Sequence, residues 1–120
     1  MPSASPHRHK KHLGQHFLHD QGVLNHIVHG LHMQPDDHWL EIGPGLGALT
    51  CHLLSHTTQL VAVEKDSDVI PTLQTNIHAL GPCQIINADI LKVDLANIMP
   101  DRYRIVGNLP YQISTPLTFH

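Results

Sequence analysis

The run Trp39-Leu40-Glu41-Ile42-Gly43-Pro44-Gly45-Leu46-Gly47-Ala48-Leu49 passes from an apolar, strand-like segment into a helix through three closely spaced glycines. His38 to Ile42 reads as a short buried strand. Residues 47 to 56 read as a helix with Leu49, Leu53 and Leu54 inward. Glycines at 43 and 45 permit positive φ and remove the Cβ, so a ligand can approach the backbone closely. Two readings stand for the loop: a tight turn alone, or a cradle at a helix N-terminus.

The pattern on either side repeats this unit. Toward the N-terminus, Asp20 is a cap for a helix over residues 21 to 33, with Leu24, Ile27, Val28 and Leu31 on one stripe and Pro35 beyond its end. Toward the C-terminus, Leu60 to Val63 is a second strand ending at Glu64. Asp66 or Ser67 caps a helix running to about Leu80, with Val69, Ile70, Leu73 and Ile77 on one face. Pro71 falls near its first turn, where proline is tolerated. Gly81-Pro82 stops it. Cys83 to Ile86 is a third strand, with Asn87-Ala88-Asp89 at its end. Residues 90 to 101 form a loop with one helical turn, and Tyr103 to Val106 is a fourth strand. Gly107-Asn108-Leu109-Pro110-Tyr111 follows, and Thr115-Pro116 is expected to open another helix. Alternation of this kind implies an α/β fold, a parallel sheet with helices on both faces. Ligands of such sheets bind outside the carboxyl ends of the strands. Gly43 to Gly47, Glu64, Asp89 and Asn108 all stand at such ends.

Composition narrows the classes. The chain has 120 residues and a formal net charge of −3, which excludes a uniformly basic nucleic-acid binder but not a local basic patch. Three of the seven Lys and Arg residues, Arg8, Lys10 and Lys11, fall in residues 1–19, read as a basic arm. That arm is either a solvated tail or a phosphate-contacting one. No apolar run approaches the roughly 20 residues that span a bilayer, and no apolar segment follows the basic start, so neither a membrane span nor a signal peptide is expected. Cys51 and Cys83 make no C-x-x-C pair and read as reduced thiols of a cytoplasmic protein. His26, His29 and His32, and His52 and His56, have helical spacing suited to a metal, but no Cys, Asp or Glu completes a ligand set, and solvated helix faces are the preferred reading.

The chemistry lies at the strand ends. Gly43-x-Gly45-x-x-Ala48 fits a dinucleotide-binding fingerprint as well. Glu64, 21 positions after Gly43, is either a surface acid at a strand end or an acceptor for both hydroxyls of a ribose. The second reading indicates an adenosine-containing ligand without saying which one. Asp89 either accepts from an adenine amino group or caps the turn that follows. Asn108 to Tyr111, either a proline turn after a strand with a core aromatic or a site for a target base, separates the candidates. An exocyclic adenine amine is a poor nucleophile because its lone pair is delocalised. The Asn108 side-chain oxygen and the Leu109 carbonyl are two acceptors able to favour pyramidal nitrogen. Pro110 fixes the backbone, and Tyr111 offers a face for an unstacked base. A nicotinamide enzyme has no need of this set.

At these residues the chain resembles the ribosomal RNA adenine dimethyltransferases. The resemblance runs from about Lys10 to Leu117, through Leu13-Gly14-Gln15-His16-Phe17-Leu18, Glu41 to Thr50, Val63-Glu64, Ala88-Asp89 and Gly107 to Tyr111. The Gly14-Gln15 opening and Ser114-Thr115-Pro116-Leu117 are similar to the housekeeping branch, which dimethylates two adjacent adenines near the 3′ end of small-subunit rRNA. The resistance-type branch, acting on large-subunit rRNA, is the alternative.

The resemblance implies a class I, Rossmann-like methyltransferase fold over residues 20–120, S-adenosylmethionine as cofactor, and small-subunit rRNA or its precursor particle as partner. It implies cofactor contacts from His16, where the family often has Asn, and from Leu18, Gly43, Gly45, Glu64, Asp89 and Asn108. It implies a catalytic Asn108-Leu109-Pro110-Tyr111 and direct methyl transfer to N6, with a neutral leaving group that requires no metal. Family members are about twice as long or more, with a seven-stranded sheet and a helical C-terminal domain. The chain is therefore expected to be a fragment truncated after the fourth strand, inactive alone, with a monomeric parent. A non-catalytic assembly factor and a dinucleotide-dependent oxidoreductase remain the other readings.

Overall fold

The computed structural model describes residues 20–107 and 117–119. Its elements are α1 (Gln21–Leu31), β1 (Trp39–Ile42), α2 (Ala48–Leu53), β2 (Leu60–Glu64), a 3-10 turn (Ser67–Val69), α3 (Ile70–Ile77), β3 (Gln84–Asn87), a second 3-10 turn (Ile90–Lys92), α4 (Leu95–Ile98), β4 (Tyr103–Gly107) and β5 (Leu117–Phe119). The sheet order is β3-β2-β1-β4-β5. The first four strands in that order are parallel, as the β-α alternation requires.

Local chemistry sets the boundaries. The Asp20 side chain accepts from Gly22 N at 2.8 Å and Val23 N at 3.2 Å, supplying partners to the open first turn of α1. At its other end His32 takes a left-handed conformation, φ 49°, and its N–H returns to the His29 carbonyl. Asp66, one of the two caps expected, accepts from Asp68 N and starts the 3-10 turn before α3. Pro71 sits in the first turn of α3, where its missing N–H costs no helical bond.

Strand alternation divides the core into two layers. On one face Trp39, Leu60 and Val106 pack with Leu24, Val28 and Leu31 of α1, Leu49 and Leu53 of α2, and Leu73 and Ile77 of α3. On the other face Leu40, Val63 and Ile105 pack with Met99 and with Ile90, Val93, Leu95 and Ile98 from the two short helical turns. Among the described residues both faces are covered, but unequally: three helices on one side, a short irregular segment with α4 on the other. At the amino ends of the strands, the Arg104 guanidinium lies 4.4 Å from the Trp39 ring centroid and pairs with Asp37 at 3.2 Å.

Three expectations need correction. The helix from Asp66 or Ser67 to Leu80 is shorter and interrupted: a 3-10 turn precedes α3, which ends at Ile77. Likewise α2 closes at Leu53, with single turns carrying the chain to Thr57. The larger correction concerns Leu117. The helix expected from Thr115-Pro116 does not extend over Leu117–Phe119, which form β5, antiparallel to β4 with Ile105 opposite Leu117. The parallel part of the sheet ends at β4 as expected. The outer N–H and C=O groups of β4 need partners, and β5 supplies them.

Candidate cofactor site

The carboxyl ends of β1 and β2 meet at the glycine loop. Gly43 N donates to the Val63 carbonyl at 2.9 Å, extending the β1–β2 ladder by one bond past Ile42. Beyond it, Gly45 adopts φ 58°, and a Cβ built there meets no atom within 4 Å. The open space above Gly45 and its positive φ fit a backbone that faces a ligand. Gly47 N donates to the Pro44 carbonyl at 2.9 Å, closing the turn, and α2 follows.

Glu64 ties this loop to β2. Its Oε1 accepts from Gly45 N at 2.8 Å and its Oε2 from Asp66 N at 2.9 Å, and the residue is 8 % exposed. Two backbone donors therefore fix the carboxylate orientation, while each oxygen keeps acceptor capacity for a hydroxyl. On the neighbouring strand Asn87 is paired with Glu64 in register, and its Nδ2 donates to the Glu64 carbonyl at 2.8 Å. Asp89 lies two residues further on, half-buried, with Oδ1 accepting from Leu91 N at 3.0 Å. The turn-capping reading of Asp89 is realised. Its other oxygen is not engaged by that bond. Gly107 pairs with Ile42, the residue before Gly43, so β4 ends beside the loop as well.

The structure thus brings Gly43, Gly45, Glu64 and the end of β3 carrying Asp89 to one edge of the sheet. His16, Leu18, Asn108, Leu109, Pro110 and Tyr111 lie outside the described residues. Sequence reasoning missed three supporting groups. Glu41, on β1, is 2 % exposed and accepts a hydrogen bond from the Thr50 hydroxyl of α2. Burial pushes its carboxyl up to about 7; the Thr50 bond pulls the other way, and the Glu64 charge adds to the rise. A charged residue inside an otherwise apolar strand was the signal for it. Asn76 and Asn87 gave no such signal, because amides on exposed faces are ordinary.

The other sequence candidates are elsewhere. Cys51 and Cys83 are half-buried free thiols, and burial raises both, Cys83 to about 11, which leaves them poor nucleophiles. The His29 and His32 rings stand 6.1 Å apart, and His52 Nε2 is 2.7 Å from Gln21 Oε1. Among the described residues no group of three or more His, Cys, Asp or Glu is placed to hold a metal, and no helix is long and apolar enough to cross a membrane.

A parallel sheet with a glycine loop after β1 and an acid at the end of β2 is a Rossmann-like arrangement, and the solved structures it resembles make it a class I methyltransferase fold. A dimethyladenosine transferase from Plasmodium falciparum superposes with a TM-score of 0.64 at 24% identity, over 77% of this chain and 33% of that one. The 23S rRNA methyltransferase ErmE gives 0.64 at 27% identity, over 73% and 35%. The chain belongs to the ribosomal RNA adenine dimethylase family, which it matches over residues 6–120. It is 46% identical over 121 aligned positions to the ribosomal RNA small subunit methyltransferase A of Marinobacter nauticus, covering 100% of this chain and 44% of that protein. The chain thus spans less than half the length of such relatives.

Proposed function

We propose that this chain carries the S-adenosylmethionine site of an enzyme that dimethylates N6 of two adjacent adenines in small-subunit rRNA. The observation that carries the reading is the Glu64 carboxylate, held by Gly45 N and Asp66 N at the carboxyl edge of the sheet, in a chain of the rRNA adenine dimethylase family. Its small-subunit target is supported by the relative from Marinobacter nauticus and others of the same name. ErmE, which acts on 23S rRNA, supports a large-subunit target as the second reading.

When bound, the cofactor supplies an electrophilic methyl group on a sulfonium. The rest is positioning by the chain. Glu64 accepts from the ribose hydroxyls with lone pairs its backbone donors leave free. The loop at Gly43 and Gly45 admits the methionine end close to the backbone, and Asp89 accepts from the adenine amine. His16 and Leu18 close the site from the arm. Asn108 and the Leu109 carbonyl accept from the target amine, Pro110 holds that carbonyl in place, and Tyr111 stacks on the base. Gly107 pairs with Ile42, so β4 ends at the edge where Gly43 begins, and this supports the arrangement. Modification of ribosomal particles supports a cytoplasmic location.

The test uses the protein in its full reading frame, undermethylated small and large ribosomal subunits, and labelled methyl donor. Two methyl groups on each of two adjacent small-subunit adenines are expected. Transfer to the large subunit alone supports the second reading, and transfer to neither contradicts both. Asn108→Ala is expected to lower transfer at least 100-fold while changing rRNA binding less than about three-fold, since binding is spread over many phosphate contacts. Equal losses in both would remove Asn108 from the amine-orienting role.

A further inference from the structure

The glycine loop has a second anchor that none of the strand-end residues supplies. Asn76, in the last turn of α3, donates from Nδ2 to the Leu46 carbonyl at 2.7 Å. The Leu46 carbonyl and the Gly47 N–H belong to one peptide group. Its N–H end donates to the Pro44 carbonyl at 2.9 Å, so both ends of that peptide are held. The same helix supports it from the apolar side. A Cβ on Gly47 would stand 2.8 Å from Leu73 Cδ1 and 3.3 Å from Ile77 Cγ2. Leu73, Asn76 and Ile77 are three and four positions apart, so one stretch of α3 presents both the apolar seat and the amide donor.

This matters because of what glycine permits. Gly47 stands at φ 94°. Without a Cβ, glycine populates both signs of φ about equally, so rotation of the Leu46–Gly47 peptide by half a turn costs little intrinsically. Such a rotation would turn the Leu46 carbonyl to the side where the Gly47 N–H now meets the Pro44 carbonyl, and so break the bond that precedes α2. Something other than local conformational preference must choose the orientation. The Pro44 bond holds one end, and Asn76 holds the other.

We propose that Asn76 is a positioning residue that locks the Leu46–Gly47 peptide, and with it the glycine loop, in the orientation that receives the cofactor. This rests on the S-adenosylmethionine reading of the loop, and it assigns to α3 a part in cofactor affinity that its surface position conceals. Asn76 is exposed, so its substitution leaves the apolar core between α3 and the sheet in place.

Calorimetric titration with S-adenosylhomocysteine, on the protein in its full reading frame, tests the lock. Asn76→Ala is expected to weaken binding about three- to ten-fold, the range for one hydrogen bond of ordinary strength. Asn76→Asp is expected to weaken it further, because a carboxylate oxygen then faces the Leu46 carbonyl. A merely space-filling residue gives the opposite order, with the isosteric Asp variant binding like wild type and better than Ala. That order, or three equal affinities, overturns the proposal. An acid in the last turn of a helix is unfavourable. If the Asp variant fails to fold, Asn76→Leu replaces it, with affinity like the Ala variant expected and wild-type affinity contradicting the lock. The Gly47 amide nitrogen resonance is a second readout independent of ligand. It is expected to shift in each variant while Gly43, bonded to Val63, stays. If wild type binds no S-adenosylhomocysteine, the cofactor reading fails, and the lock is judged by Gly47 alone: an unmoved resonance overturns it.

Discussion

Both oxygens of the Glu64 carboxylate accept a backbone N–H before any ligand arrives, from Gly45 and Asp66. Glu64→Gln keeps the shape but sets an amide donor against one of those N–H groups. Hydrogen bonds to charged groups contribute about 1.5–3 kcal/mol, so S-adenosylhomocysteine affinity is expected to fall ten-fold or more by calorimetry, with an unchanged affinity removing Glu64 from the site. Glu41 carries a different consequence. Its carboxyl is raised from the ordinary 4.5 to about 7 by burial, opposed by the Thr50 bond and reinforced by the Glu64 charge. Between those two values the folded state holds a proton that the unfolded state releases. Stability contributed at this residue is therefore complete at acidic pH, declines as pH rises through about 7, and levels off above it. Glu41→Gln is expected to flatten that decline, gaining stability relative to wild type at pH 8 and little at pH 5. Chemical denaturation at the two pH values measures it, and parallel pH dependences would show that Glu41 ionises as freely as an exposed acid. Cys51 and Cys83, kept as thiols by burial, are not expected to add a competing titration in this range.

At the scale of elements, the site is a contact between a loop and the helices that flank it. Gly47 has both a positive φ and a Cβ position already occupied by Leu73. Gly47→Ala is expected to lower the melting temperature by several degrees, corresponding to about 1–3 kcal/mol, through strain plus the displaced leucine. A variant melting with wild type would mean that the loop does not seat on α3. Helices and strands were legible in the sequence because burial imposes period: Leu24, Val28 and Leu31 mark α1, and β1 to β4 are short apolar runs with a glycine or an acid at or just beyond the end. The break before α3 was not legible. Asp66 satisfies the donor at Asp68, and its short cap tightens the first turn into a 3-10 form. Nor was β5, since Thr115-Pro116 is a good local helix start, and what governs Leu117–Phe119 is pairing along the edge of β4, which local helix preference does not register.

For the molecule as a whole, the edge where β1, β2, β3 and β4 end gathers residues that are scattered through the chain. Gly43 and Gly45, Glu64 and Asp89 were legible there because a parallel sheet sends all its strand ends to one side. Asn76, Asn87 and the Glu41–Thr50 pair were not, because their partners are backbone or buried groups that only the packed sheet and helices bring near. The opposite edge is closed differently, by Arg104 on Trp39 and Asp37. Among the described residues it carries none of the proposed cofactor contacts. The central claim is that the glycine loop and Glu64 receive an S-adenosyl ligand and not a nicotinamide dinucleotide. Parallel calorimetric titrations of the protein in its full reading frame with S-adenosylhomocysteine and with NAD test it directly. Saturable binding of S-adenosylhomocysteine that Glu64→Ala abolishes, with no heat from NAD, is the result expected; saturable NAD binding with none of S-adenosylhomocysteine would contradict it.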